Sequence, residues 1–266
     1  MSEFVSSWHF SEREQSAKLE RVGEDALKTV DRTYGEGHPN YRRHGSHELA
    51  YHNGHHAREV GSTAFKLCTL LDMDPLVRET AQTAGYAHDL VQLKGRGTDE
   101  RESAEWLERE LSRSDIVHPA LRTMGSFAIL GTEPLFADGK LVGQKAMQLH
   151  YPSREAEHMA KSVASADLGE LYQPQGPLLG HQLFREINGM ARPEQLDMQK
   201  LTAFQRNQIA LLETYKYPLP EAERTLTQRK SEVIAYSSDL LHQMETGSVE
   251  TWNEVIERDR AFMQGR

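Results

Sequence analysis

Apolar residues return along most of this chain in steps of three and four, the spacing of helices with one buried face. Ala17, Leu19, Val22, Ala26, Leu27 and Val30 predict an amphipathic helix over 11–33, and Ser11 with Glu14 has the spacing of a capping box at its start. A second helix is expected from His47 to Leu71 behind Ser46 as N-cap. Gly54 falls inside it, at a cost of about 1 kcal/mol against alanine, and would suit close approach by a neighbouring helix or a ligand. Asp74 and Pro75 open a third helix. It runs through Leu76, Val77, Ala81, Ala84, Ala87 and Leu90, carries His88-Asp89 near its end, and stops at Lys94-Gly95-Arg96-Gly97. Thr98 begins another over 99–112, with Ala104, Trp106, Leu107 and Leu111 as its buried stripe. A short helix follows from Pro119 to about Gly131, and one from Ser153 to Leu171 holds Asp167 in its latter half. Gln173-Pro174-Gln175-Gly176-Pro177 is a break, and beyond it helical patterns lie near 178–190, 195–216, 220–245 and 248–264. No segment alternates with period two over a useful length. Residues 132–153, with Pro134, Gly139, Gly143 and Pro152, read as a long loop with one turn of helix. The expected fold is all-α, a helical core over 1–176 with a C-terminal helical extension over 177–266 packed on it.

Composition narrows the function classes. The 266 residues are 38% hydrophobic and 27% charged, with a net charge of −9. An acidic chain has no general attraction for nucleic acid or an anionic membrane; neither is expected as a partner. An anionic substrate would need local positive charge, which metal ions provide. The single cysteine, Cys68, excludes an intrachain disulfide and sits in an apolar run as a core residue. No stretch approaches the roughly 18–20 apolar residues of a membrane helix, and residues 1–10 lack the pattern of a secretory signal; a cytosolic protein is expected. An acidic bundle with a long helical extension could also form a homodimer. Residues 34–45 break the helical pattern with Gly35, Gly37, Pro39 and Gly45 and are basic, with Arg42, Arg43, His38 and His44. This loop is either a wall of a substrate pocket or a solvated connector.

Candidate chemistry centres on Tyr51-His52-Asn53-Gly54-His55-His56-Ala57-Arg58-Glu59-Val60. At about 100° per residue, His52 and His56 share one helical face, one turn apart, and His55 turns away. His88-Asp89 and Asp167 are distant in sequence but fall on predicted helices. Two histidines and two aspartates form a mixed nitrogen and oxygen set that suits Mn, Fe, Zn or Mg. Such an ion makes hydroxide from bound water near neutral pH and polarises a phosphoryl oxygen.

These residues together resemble the HD superfamily of metal-dependent phosphohydrolases. The signature is a histidine, a His-Asp pair and a distant aspartate, in the order of His56, His88-Asp89 and Asp167. Residues 51–60 are similar to the metal-site helix of the cyclic-nucleotide phosphodiesterases, and Ala87-His88-Asp89 and Ser165-Ala166-Asp167-Leu168 to the other two segments. Glu100, Ser103 and Ala104 resemble the helix after the pair in bacterial members. The likeness spans about 47–171. It implies an HD-type bundle with His56, His88, Asp89 and Asp167 as ligands of one divalent cation. Asp89 would be placed to bridge to a second, and His52 would be the general acid that protonates the leaving oxygen. Asn53 and Tyr51 would support the ligands, with Asn53 also a candidate substrate contact, and His55 would occupy a variable position.

The chain departs from the phosphodiesterases after the pair: Leu90-Val91-Gln92-Leu93-Lys94-Gly95-Arg96-Gly97 has no second histidine, and Gln92 stands where bacterial nucleotidases often have glutamate. Lys94 and Arg96, like Arg42 and Arg43, are candidates for binding substrate phosphate or, in the case of Lys94 and Arg96, for complementing a helix C-terminus. His118 and His150 lack a ligand context. The resemblance therefore implies hydrolysis of a small phosphoester, a nucleotide phosphodiester ahead of a nucleoside monophosphate. The alternative is a regulatory protein that keeps the metal and has lost turnover.

Overall fold

The structure is a computed structural model that describes residues 10–34, 49, 51–92, 97–113, 115–137, 140–189 and 192–265. Eleven α-helices and one small two-stranded sheet appear among them. The first six helices are α1 (Glu12–Tyr34), α2 (Gly54–Leu70), α3 (Pro75–Ala87), α4 (Thr98–Ser112), α5 (Pro119–Leu130) and α6 (Arg154–Asp167). Between α5 and α6 stand β1 (Pro134–Ala137), β2 (Lys140–Gln144) and a 3-10 turn over Lys145–Met147. Then come α7 (Gly176–Ile187), α8 (Met198–Thr214), α9 (Pro220–Leu226), α10 (Lys230–Glu245) and α11 (Trp252–Met263).

Local chemistry sets many of these boundaries. Ser11 and Glu14 form the reciprocal cap of α1. Asp74 accepts from the Leu76 amide with Pro75 next to it, and Ser153 accepts from Ala156. The buried faces of α1 to α6 close one apolar core, with Leu19, Val60, Leu76, Leu107, Leu121 and Met159 fully or almost fully buried. Cys68 is in it, and burial pushes its thiol up to about 11.

Glycine sets the closest packing. A Cβ on Gly85 would lie 2.6 Å from the Gly61 Cα, and one on Gly61 would lie 2.3 Å from the Tyr86 ring. The backbones of α2 and α3 therefore touch at Gly61 and Gly85, which brings the start of α2 beside the end of α3.

The later helices form a second core around Phe184, Leu201, Leu240, Trp252 and Val255. A third cluster joins the two cores, with Leu67 of α2 packed among Tyr172, Leu212, Tyr215, Tyr217 and Leu219. The Tyr217 hydroxyl donates to the Leu168 carbonyl at 2.7 Å, tying the segment after α8 to the end of α6.

Two expectations are corrected. Helix α2 begins at Gly54, not His47: Asn53 caps it, accepting from the His55 and His56 amides. His52 thus precedes the helix, while the expected cap Ser46 lies outside the described residues. Residues 134–137 and 140–144 pair as antiparallel strands and are not loop. The strands are four and five residues long, and the register shifts between Leu135 and Phe136. Two such short strands with a bulge leave no run of alternation for the sequence to display. Smaller corrections follow the same logic: the expected helix over 220–245 is two helices, α9 and α10, and Trp106 is only partly buried.

Candidate metal centre

Three elements deliver the ligand set. His56 lies in the first turn of α2, His88 is the residue that closes α3, with Asp89 just beyond it, and Asp167 is the last residue of α6. One ligating atom from each of the four lies within 4.8 Å of every other. The His56 Nε2 stands 3.4 Å from Asp89 Oδ2 and 3.3 Å from Asp167 Oδ1. The His88 Nε2 stands 2.9 Å and 3.4 Å from the same two oxygens. Ligands about 2.1 Å from a cation, at angles between a right angle and the tetrahedral one, are spaced about 3.0–3.4 Å. The four edges have the size that a bound cation requires.

The atoms at the centre lack other partners. His56 Nε2, His88 Nε2 and Asp89 Oδ2 are buried without a hydrogen bond among the described residues. Buried polar atoms are almost always satisfied, so a convergent group of orphans could hold a metal ion. Their chemistry agrees. The His88 Nδ1–H donates to the Gly85 carbonyl at 2.7 Å, which fixes the tautomer and turns the Nε2 lone pair inward.

Both carboxylates have an outer oxygen as well, and a glutamine holds each one. Gln92 Nε2 donates to Asp89 Oδ1 at 2.6 Å, and Gln144 Nε2 donates to Asp167 Oδ2 at 3.0 Å. Gln144 comes from β2 and is buried; its Oε1 accepts from the Tyr215 hydroxyl at 2.9 Å. The turn that carries Asp89 is pinned twice more. The Val91 amide donates to Ser103 Oγ at 3.0 Å and the Gln92 amide to the Tyr34 hydroxyl at 2.6 Å.

Electrostatics couple the set. Burial opposes charge on His88, Asp89 and Asp167, yet the opposite charges prevail. Without a cation, Asp89 and Asp167 are held below the usual carboxylate range by the neighbouring histidines, and His88 is held well above the usual imidazole value by Asp89 and Asp167. A proton on His88 and a cation in the centre thus compete for the same lone pair.

His52 sits beside the cluster, its ring centroid 6.0 Å from that of His56, and Tyr51 packs against both rings. Its Nδ1 pairs with Oε1 of Glu186, whose Oε2 accepts the Tyr51 and His52 amides at 3.1 Å each. Burial disfavours the imidazolium, but the Asp89 and Glu186 carboxylates outweigh it and raise the His52 pKa to about 9. Glu186 itself is held low by His52 against its own burial.

The remaining candidates separate. The Asn53 side chain is engaged by backbone, accepting from two amides and donating to the Leu49 carbonyl at 3.1 Å. His55 is exposed, His118 caps α5, and His150 is exposed. Arg42, Arg43, Lys94 and Arg96 lie outside the described residues. Sequence reasoning missed Glu186 and Gln144 entirely. Glu186 lies in a helix beyond the break at 173–177, and Gln144 in a strand that was read as loop; nothing in their local spacing marks either one.

In comparisons with known proteins, no family model matches the chain, no curated protein matches it, and no solved structure matches it. The helical fold with its His-His-Asp-Asp cluster is compatible with an HD domain. No described helix is long and apolar enough to cross a membrane.

Proposed function

We propose that this chain is a metal-dependent phosphohydrolase of the HD type that cleaves a small phosphoester, with a nucleotide phosphodiester as the first choice of substrate. The observation that carries the reading is the juxtaposition of a four-atom cation cradle with a histidine, His52, that is not part of the cradle and is clamped by Glu186. His56, His88, Asp89 and Asp167 would hold the cation. A divalent ion there supplies Lewis acidity toward a phosphoryl oxygen and activates water near neutral pH.

The chain's own residues do the rest. Without a cation the Asp89 and Glu186 carboxylates raise the pKa of His52, and with a cation on Asp89 it is Glu186 that favours the proton there. Glu186 occupies Nδ1, so the proton available for transfer is the one on Nε2. That proton goes to the leaving oxygen as the ester bond breaks, which spares the departing group a full negative charge. Glu186 positions His52 by clamping both its backbone amide and its ring. The two glutamine amides and the Gly85 carbonyl orient the carboxylates and His88, so little reorganisation is needed when charge develops.

The test is hydrolysis of a panel of cyclic nucleotides, linear phosphodiesters and nucleoside monophosphates with Mn or Mg. Wild type should turn over at least one class, and Asp89→Ala should turn over none. A properly folded, metal-loaded wild type with no turnover on the panel would leave the regulatory alternative standing in its place.

A further inference from the structure

We infer that the centre takes one cation per chain, because Gln92 and Gln144 withhold from a second ion the outer oxygens through which Asp89 and Asp167 would bridge to it. The inference rests on the metal-centre reading and goes beyond it to nuclearity. A carboxylate that bridges two ions through both of its oxygens gives one to each. In both aspartates one oxygen faces the imidazoles: Oδ2 of Asp89 and Oδ1 of Asp167. The other oxygen in each case accepts a hydrogen bond from a side-chain amide, at 2.6 Å from Gln92 and 3.0 Å from Gln144.

An amide –NH2 has donors and no lone pair to offer a cation. It places the positive ends of two N–H dipoles where a second ion would sit. For Gln144 the orientation is locked, because the Tyr215 hydroxyl donates to its Oε1 and a flip would set that oxygen against the Asp167 carboxylate. For Gln92 the acceptor-only carboxylate dictates the same orientation. Among the described residues His56, His88, Asp89 and Asp167 form the single group of three or more side chains that could hold a metal ion.

The test is the manganese content of the full chain, stripped with chelator and titrated with Mn2+ by calorimetry, together with the electron paramagnetic resonance spectrum of the loaded protein. Wild type should bind one Mn2+ per chain that is lost in Asp89→Ala, and its spectrum should be that of an isolated ion. Gln92→Glu exchanges a donor for a ligand of nearly the same shape and should gain a second, exchange-coupled Mn2+. Two coupled ions in wild type overturn the inference, and so does a folded Gln92→Glu variant that still binds one. Should that variant not fold, the wild-type stoichiometry and spectrum decide alone. A wild type that binds no Mn2+, Mg2+, Fe2+ or Zn2+ overturns the metal centre itself, a result distinct from two coupled ions, which would leave phosphoester hydrolysis untouched.

Discussion

Two histidine–aspartate clusters sit among the described residues, and they are built on opposite rules. On α7, His181 is 1% exposed and each ring nitrogen has a partner: Nδ1 meets Asp259 Oδ2 at 2.6 Å and Nε2 meets Gln205 Oε1 at 2.9 Å. Asp259 also accepts from the Tyr236 hydroxyl, and Gln205 Nε2 donates to the Ser237 carbonyl, so the network closes on itself. Where α2, α3 and α6 meet, His56, His88, Asp89 and Asp167 face one another and leave buried atoms without a hydrogen bond. The same residue types therefore do different work, fully buried in one cluster and with partly exposed aspartates in the other. A closed network specifies packing, whereas an open one waits for a charge from outside.

The sharpest way to break the comparison is to remove one carboxylate from each cluster. Asp89→Ala should abolish turnover and eliminate the rise in melting temperature that saturating Mn2+ gives wild type. That rise corresponds to about 2.7 kcal/mol at a hundredfold excess over Kd. Asp259→Ala should leave the Mn2+-dependent rise intact and lower the metal-free stability by roughly 3 kcal/mol, because His181 and Tyr236 both lose a buried partner. Melts with and without Mn2+ check both, and a Mn2+ shift that survives in Asp89→Ala would erase the distinction.

Next in size is the backbone contact that brings the open cluster together. Gly85→Ala puts a methyl group 2.6 Å from the Gly61 Cα with no flexible side chain to give way. It should cost about 2–3 kcal/mol of stability and weaken Mn2+ binding as well, since α2 and α3 each carry a ligand. Chemical denaturation and calorimetry read the two effects. Full stability with unchanged metal affinity would mean that the helix contact does not set the ligand spacing.

What the sequence displayed of this arrangement was its locally encoded part. Helices α1, α3, α4, α5 and α6 announce themselves by three- and four-residue apolar steps and by caps such as Asp74-Pro75 and Ser153. The four ligands stood out as a motif in order. The start of α2 did not, because Asn53 was read as a site residue and Gly54 as an interior glycine; Asn-Gly is equally a helix start, and only the bonds to the His55 and His56 amides decide it. Glu186 and Gln144 were hidden for a different reason. Each acts across a separation of 134 and 23 residues respectively, and no periodicity encodes a contact at that distance. Their role follows from tertiary packing through Tyr215, Tyr217 and Leu67, which holds the later helices against the site.

The dyad of His52 and Glu186 offers a test by pH. A raised pKa in the folded protein means that the protonated form is favoured, so a general acid stays active below it and fails as pH rises through it. A cation on Asp89 removes part of that pull and leaves Glu186 to supply the rest. The alkaline limb of kcat/KM should then lie above 6.5 and no higher than about 9. Glu186→Gln should move it toward 6.5, with about a tenfold loss of kcat/KM on the alkaline side per unit of displacement. The same substitution should leave the Mn2+ stoichiometry unchanged, since Glu186 is not in the ligand set. An alkaline limb that stays put in Glu186→Gln would remove His52 from the role of proton donor.

The smallest effect sharpens the contrast at a single residue. Gly180 lies in α7 next to His181, and a Cβ there would meet nothing nearer than the Gln208 side chain at 3.7 Å, an ordinary van der Waals contact. Its backbone is not strained, and the helix interior favours alanine over glycine by up to about 1 kcal/mol. Gly180→Ala should therefore stabilise the protein by several tenths of a kcal/mol to about 1 kcal/mol, opposite in sign to Gly85→Ala. It should do so equally with and without Mn2+, because the closed network takes no ion. A denaturation midpoint that falls would show that α7 and α8 pack there with less room than the 3.7 Å contact implies. A gain that appears only with Mn2+ would show that α7 senses the metal centre through Glu186, at the far end of the same helix.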